Sequence, residues 1–432
     1  MKMDDMIIVS VDDHIVEPPD TFIRHYPASK KDRAPRIETV RGAEHWVWTD
    51  TTHLRTGLNA VVGRPRSEYG MEPTAYAQMR PACYDAKARV DDMNVNGILG
   101  SLNFPSFAGF SGGVFVKKAK KDPADALLAV KAYNDWHMLE WCAAAPERLM
   151  PLTLLPLWDM GESVAELTRM AKQGSHAISF PDNPTATGLP SLHNAYWEPL
   201  WKTCSDYNVM INCHIGTGHQ PPHASAESPI DAWITTMPIS IAHAAADWIW
   251  APFWKRYPDL RMALSEGGIG WIPYLLERSD HTYVHHHEWT FSEFNGGRPS
   301  DIFNKHIVTC FIDDKFGLKH LEDMNPDMIC YECDYPHSDT LWPEAPEYLW
   351  NSMKHLEPAI IDKISHQNAM RLYSYDPFEA MGGREKCTVG ALRQLGRDVD
   401  TSTKAGLGGL KPQAEGEPRR PVTSGDIQKM LA

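Results

Sequence analysis

Eight short apolar runs, separated for the most part by segments long enough to hold a helix, constrain this chain more than any other feature. They are MIIVSV at 6–11, GILGSLNF at 97–104, LMPLTLLPL at 149–157, HAISF at 176–180, VMINCHI at 209–215, RMALSE at 261–266, HIVTCFI at 306–312 and MICYECD at 328–334. Runs that are apolar throughout, instead of alternating with polar residues, belong to strands covered on both faces, as in a parallel sheet. Helical patterns supply the crossovers: DPADALLAVKAYNDWHMLEWCAAA at 122–145 behind an Asp-Pro start, GESVAELTRMAKQ at 161–173 ahead of Gly174, and PAIIDKISHQNAMRLY at 358–373. Eight strand-helix units predict an α/β fold, a (β/α)8 barrel of the TIM type.

The barrel is expected over residues 1–383, with two stretches that break its rhythm. Residues 30–90 are rich in Arg, Pro, Thr and Gly, and residues 216–258 in Pro, His and Trp; both are expected as insertions over the mouth. Residues 384–432, rich in Gly, Pro and charge, read as an extended C-terminal arm, either flexible or laid over a partner subunit. A homo-oligomer is the expected assembly, with a hetero-oligomer as the alternative.

The balance of 42 basic against 56 acidic residues, a formal charge of -14, speaks against nucleic-acid and anionic-membrane partners and leaves a small-molecule substrate. The start MKMDDMIIVSVDDH lacks the basic head and cleavage site of a signal peptide, and no stretch approaches the ~20 apolar residues of a membrane span. A cytoplasmic location is expected. The eight cysteines are scattered, and the single C-x-x-C, Cys330 and Cys333, reads as buried thiols within a strand.

In such a barrel, reactive groups sit where strands end. The first run leads into Asp12-Asp13-His14. Alternation along a strand puts Asp12 and His14 on one face and Asp13 on the other. A carboxylate and an imidazole offered together suit zinc, manganese or iron. His214 ends the fifth run and Asp334 the eighth. Three separate strand ends carrying ligand types in this order point to a metal site.

The segments VDDHIVEPPDTF, INCHIGTG, LSEGGIGWIPYLLERSD and ECDYPHSD resemble the amidohydrolase-related family, the branch of the amidohydrolase superfamily that includes aminocarboxymuconate-semialdehyde-type decarboxylases. Weaker likenesses lie in ARVDDMNVNGILGSLNFP at 88–105 and LLPLWDMGESVAELTRM at 154–170, so that the resemblance spans about residues 6 to 378. It implies a ligand pair at Asp12 and His14, a metal His at His214 and a metal Asp at Asp334, the last also serving to activate water. The implied chemistry is hydrolysis or non-oxidative decarboxylation, in which a divalent ion makes hydroxide available near neutral pH.

The chain departs from that pattern at Glu266, where the decarboxylases usually carry a catalytic His. Glu266 could replace that His as acid and base, bind a second metal, or pair with an Arg. Asp13, His285, His286 and Asp313 are candidates for a second metal or for substrate, as are His281, His287 and Asp339. His337 is a candidate donor to substrate or partner to a ligand, and Asp313 or Asp314 could instead cap a helix. His219 and His223 are expected to line the mouth, and Trp248, Trp250 and Trp271 could wall an apolar pocket. Two further functions compete: a dinuclear iron or manganese-iron oxygenase on the same fold, and a non-catalytic partner subunit.

Overall fold

The structure is a computed structural model that describes all residues except 50, 54–56, 414, 415, 417, 419 and 432. Strand β1 (Val9–Ile15) is followed by a small antiparallel sheet of β2 (Arg36–Val40), β3 (Ala43–Trp48) and β4 (Thr51–His53). Seven further strands then join β1: β5 (Gly100–Pro105), β6 (Leu149–Met150), β7 (Ala177–Ser179), β8 (Met210–His214), β9 (Met262–Ser265), β10 (Ile307–Phe311) and β11 (Ile329–Tyr331). All pairings among these eight are parallel, in the order β6-β5-β1-β11-β10-β9-β8-β7.

The two edges of that order meet. Thr153, three residues past β6, bridges to Ile178 of β7, with Thr153 N–H donating to Ala177 O at 2.9 Å and Ser179 N–H to Thr153 O at 3.0 Å. This bridge closes the ring into a barrel. The strand positions follow the eight apolar runs, with two larger shifts: the run 149–157 keeps only Leu149–Met150 in strand, and β1 continues to Ile15 because its polar residues stay in the sheet.

Alternate strand residues build two layers. Val9, Val11, Leu102, Met210, Ala263, Val308, Cys310, Met328 and Cys330 form one apolar set within the barrel, and Ile178, Ile211, Leu264, Ile307, Phe311, Ile329 and Tyr331 join the set packed under the helices. On β1 the pairing with β5 slips between Ser10 and Asp13, three residues on β1 advancing against two on β5. This bulge reverses the parity of the strand. Val9 and Val11 face inward below it, and Asp12 and His14 face inward above it. Without the extra residue Asp13 would hold the inward position.

Residues 30–90 contain the β2–β4 sheet, whose turn at Arg41 and Gly42 has both residues at positive φ (54° and 84°), a geometry that matches hairpin twist. Buried Trp46 and Trp48 lay this sheet against Phe107, Phe22 and Phe115. Residues 216–258 contain the helix Ile230–Ile249, which carries Pro238 inside it and connects β8 to β9. The helix Val389–Leu395 packs on Ala86–Val95, with Arg393 paired to Glu347 at 2.6 Å. Beyond it the chain crosses both mouth segments. Leu410 bridges to Glu72, and Thr423 to Pro229. Among the described residues no helix is long and apolar enough to cross a membrane.

Candidate metal centre

The C-terminal ends of β1, β8, β9 and β11 bring Asp12, His14, His214, Glu266 and Asp334 together at one point. His14 Nε2 lies 3.1 Å from His214 Nε2, 3.5 Å from Asp12 Oδ1 and 3.2 Å from Asp334 Oδ1. His214 Nε2 lies 3.4 Å from Asp12 Oδ2 and 3.0 Å from Glu266 Oε2. His337 joins them, its ring stacked on His14 at 3.8 Å and its Nδ1 2.8 Å from Asp334 Oδ1. Phe110 closes one side against both His14 and His214, at 4.6 and 4.3 Å between ring centres. Asp12, His14, His214, Asp334 and His337 are buried, and Glu266 retains 15% side-chain exposure.

Backbone geometry aims these groups. Glu266 and Asp334 both sit in the left-handed region, at φ 61° and 51°, a conformation that costs a residue with a Cβ about 1 kcal/mol or more. Asp334 N–H donates to Asp12 O at 2.9 Å, and His14 N–H to Tyr335 O at 2.6 Å, so β1 and the turn after β11 fix each other. Glu266 N–H donates to Glu332 Oε2 at 3.0 Å. Gly267 follows because a Cβ there would meet Ile241 Cγ2 at 2.0 Å. Asp314 then accepts from Ile269 and Gly270 N–H at 2.8 and 2.7 Å.

The electrostatics call for a cation. Neither oxygen of Asp12 or of Asp334 has a hydrogen-bond partner, although imidazole nitrogens stand close to them. Burial, reinforced by the neighbouring carboxylates, pushes the Asp12 and Asp334 carboxyls well above their usual range. Burial works against a charge on His214, yet Asp12 and Glu266 hold it up at about 9. His214 Nδ1 faces Ile215 O at 2.7 Å, which leaves Nε2 turned to the cluster. Burial, with His337 and His214 adding to it, keeps His14 neutral, the form that donates a lone pair. Ligand atoms of Asp12, His14 and His214, and those of His14, Glu266, Asp334 and His337, each lie within 4.8 Å of one another. Two imidazoles and unbonded carboxylates fit a divalent ion such as manganese, zinc or iron.

Other candidates lie apart. Asp13 faces away and accepts from Tyr335 N–H at 2.9 Å and from Ser101 Oγ–H; burial pushes its carboxyl up to about 6. His285 and His286 are on the exposed face of the helix Ile272–Thr290, which runs through the histidine triplet. Asp313 accepts from Ser352 Oγ–H at 2.8 Å, while Asp314 caps the helix Lys315–Lys319. His219 stacks on His243 at 4.0 Å, its N–H held by Asp182. Trp248 is core, packed on Phe180, Trp201 and Phe253, and Trp250 and Trp271 pack against the core's rim. All eight cysteines are free and buried. Sequence reasoning passed over Glu332 and Phe110. Glu332 was visible as an acidic residue inside the apolar run 328–334, two positions before Asp334.

Comparison with known proteins gives a consistent answer. The amidohydrolase family model matches residues 25–374. A 2-amino-3-carboxymuconate-6-semialdehyde decarboxylase from Dictyostelium discoideum is 23% identical over 303 residues, covering 68% of this chain and 78% of its own. Among solved structures, an amidohydrolase from Mycobacterium avium subsp. paratuberculosis superposes with a TM-score of 0.64 at 19% identity, covering 85% of this chain and 99% of its own. A dihydroxybenzoic acid decarboxylase from Polaromonas, with bound manganese and the inhibitor 2-nitroresorcinol, superposes with a TM-score of 0.54 at 17% identity, covering 85% of this chain and 97% of its own.

Proposed function

This chain belongs to the amidohydrolase family, and on that premise we propose that it is a metal-dependent lyase that removes carbon dioxide from a small carboxylated substrate without an oxidant. Asp12, His14, His214 and Asp334 hold one divalent ion, and Glu266 is the acid and base. The observation that carries this reading is the convergence of two imidazoles and two unbonded carboxylates from three strand ends. The decarboxylases among its relatives, one of them with manganese bound, support the choice of reaction. Hydrolysis on the same centre is the neighbouring reading within the family.

A bound divalent ion supplies Lewis-acid polarisation of a substrate oxygen. The chain's own groups do the rest. Glu266, the one member of the cluster with appreciable exposure, delivers a proton to the carbon that loses its carboxylate; the electrons of the breaking C–C bond form the new C–H bond, and carbon dioxide leaves. Its proton is then restored from solvent. His337 turns Nδ1 to Asp334, and its Nε2, buried and without a partner, is the group available to a substrate oxygen. Burial holds this imidazole near 4, so it acts neutral. Phe110, against both metal-site histidines, excludes water from the reacting face.

The test is elemental analysis of the purified protein together with anaerobic incubation with carboxylated phenols and carboxymuconate semialdehydes. One ion per chain and carbon dioxide released without oxygen are expected. Two ions per chain with oxygen consumed would replace this reading by the oxygenase one.

A further inference from the structure

We infer that Glu332 is a positioning residue whose carboxylate holds Glu266 in its strained conformation, so that the Glu266 side chain reaches the metal centre. This rests on the proposed role of Glu266 as the acid and base.

The need for such a residue follows from the sheet. Strand β9 ends at Ser265, and its pairing with β10 runs out one residue earlier, at Leu264 with Thr309. The next amide, that of Glu266, has no ladder acceptor, and a buried N–H without one is costly. Glu332 Oε2 takes it at 3.0 Å. The acceptor comes from the wall: Glu332 follows β11, is 1% exposed and has its own N–H fixed on Phe311 O. On the far side of Glu266, Asp314 holds the Ile269 and Gly270 amides. The segment 266–270 is thereby pinned at both ends, with a left-handed Glu266 at one of them.

Apart from the Glu266 amide, the Glu332 side chain meets the Cys310 thiol beside it on β10. Its strand neighbours on the inward face below it, Met328 and Cys330, are apolar, and a carboxylate among them is expensive unless its oxygens are used. Among the described residues it belongs to neither group of ligand atoms that could hold an ion. The bond to one strained amide, with the Cys310 thiol beside it, uses these oxygens.

Hydrogen–deuterium exchange of the peptide that spans Glu266, read beside metal content and beside turnover of the best carboxylated phenol, tests this without requiring that the substrate be the natural one. Glu332→Gln keeps an acceptor oxygen; Glu332→Met fills the space without one. Protection close to wild type in Glu332→Gln is expected, with exchange at least ~10-fold faster in Glu332→Met, from loss of a buried hydrogen bond, and metal content equal in both. Turnover should follow the same order, with kcat reduced in Glu332→Met, KM little changed, and rescue in Glu332→Gln. Unchanged exchange in Glu332→Met, or a Glu332→Gln variant as impaired as Glu332→Met, overturns the proposal. Glu266→Gln, run in parallel, separates the two ideas. Full turnover in that variant removes the acid-base role of Glu266, whereas its inactivity beside a fully active Glu332→Met removes the positioning role alone.

Discussion

The Nε2 atoms of His14 and His214 face each other at 3.1 Å across the barrel mouth, from residues 200 positions apart in the chain. With Asp12, these two nitrogens form a set of ligand atoms within reach of one divalent ion. Removing metal with a chelator is therefore expected to lower the melting temperature by several degrees and abolish turnover, and manganese or zinc to restore both. At a free ion concentration a hundred times the Kd, linkage stabilises the fold by about 2.7 kcal/mol. Differential scanning fluorimetry with and without metal measures the shift, which a His214→Ala variant should lack.

Glu266 trades stability for position. Its φ of 61° suits glycine, so Glu266→Gly should stabilise the protein by about 1 kcal/mol and leave it inactive. Glu266→Gln keeps the shape and loses the proton, with kcat expected to fall ~10²- to 10⁴-fold. Urea unfolding read beside steady-state rates decides the matter; a glycine variant less stable than wild type would count against the strain.

Acid should unfold the protein in part through His137. This buried ring accepts from Leu152 N–H through Nε2 at 3.1 Å, so it cannot take a proton there without losing the bond, and burial pushes it down to about 3. The unfolded ring titrates near 6.5. Above that pH both states are neutral and the stability is fully present. As pH falls from about 6.5 toward 3 the unfolded chain gains a proton that the native one refuses, and stability drops by about 1.4 kcal/mol per pH unit. His306 and His366, each lowered to about 4 by burial, act with the same sign. Denaturant midpoints at pH 7 and pH 5 should differ less in His137→Gln, which keeps an acceptor and does not titrate.

Truncation after Asp398 should loosen the mouth and spare the barrel. The removed segment carries Asp400 O and Gly408 O, which accept from Arg80 and Arg64, and the bridges Leu410 to Glu72 and Thr423 to Pro229. Limited proteolysis is expected to speed up between residues 57 and 80 and between 220 and 232. An unchanged cleavage pattern would mean that the arm lies on these segments without holding them.

The barrel was legible because its staves are apolar over their whole length, and Asp12, His14, His214, Glu266 and Asp334 stood out because they are the polar ends of those staves. What was not legible depends on contacts that no local pattern encodes. The bulge that sends Asp12 inward is a slip in pairing against β5, visible only once the partner is known. The hairpin in residues 36–48 has the alternation of a strand pair, but its turn is Arg41-Gly42, outside the usual Asn-Gly or Asp-Gly signals. Pro238 concealed the helix Ile230–Ile249. The histidine triplet continues a helix onto its exposed face, since nothing in its sequence stops the helix before Phe291, which takes the left-handed C-cap.

Six of the eight seams of the ring are joined by runs of paired residues, and two rest on a single pair: Ser10 with Tyr331 between β1 and β11, extended by the Asp334 N–H to Asp12 O bond, and Thr153 with Ile178 between β6 and β7. A hoop fails where it is thinnest. The amides of Thr153 and Ser179 are thus expected among the first strand amides to open to solvent, and substitution of Thr153 by Pro, which removes the donor to Ala177, is expected to part the cylinder along this line.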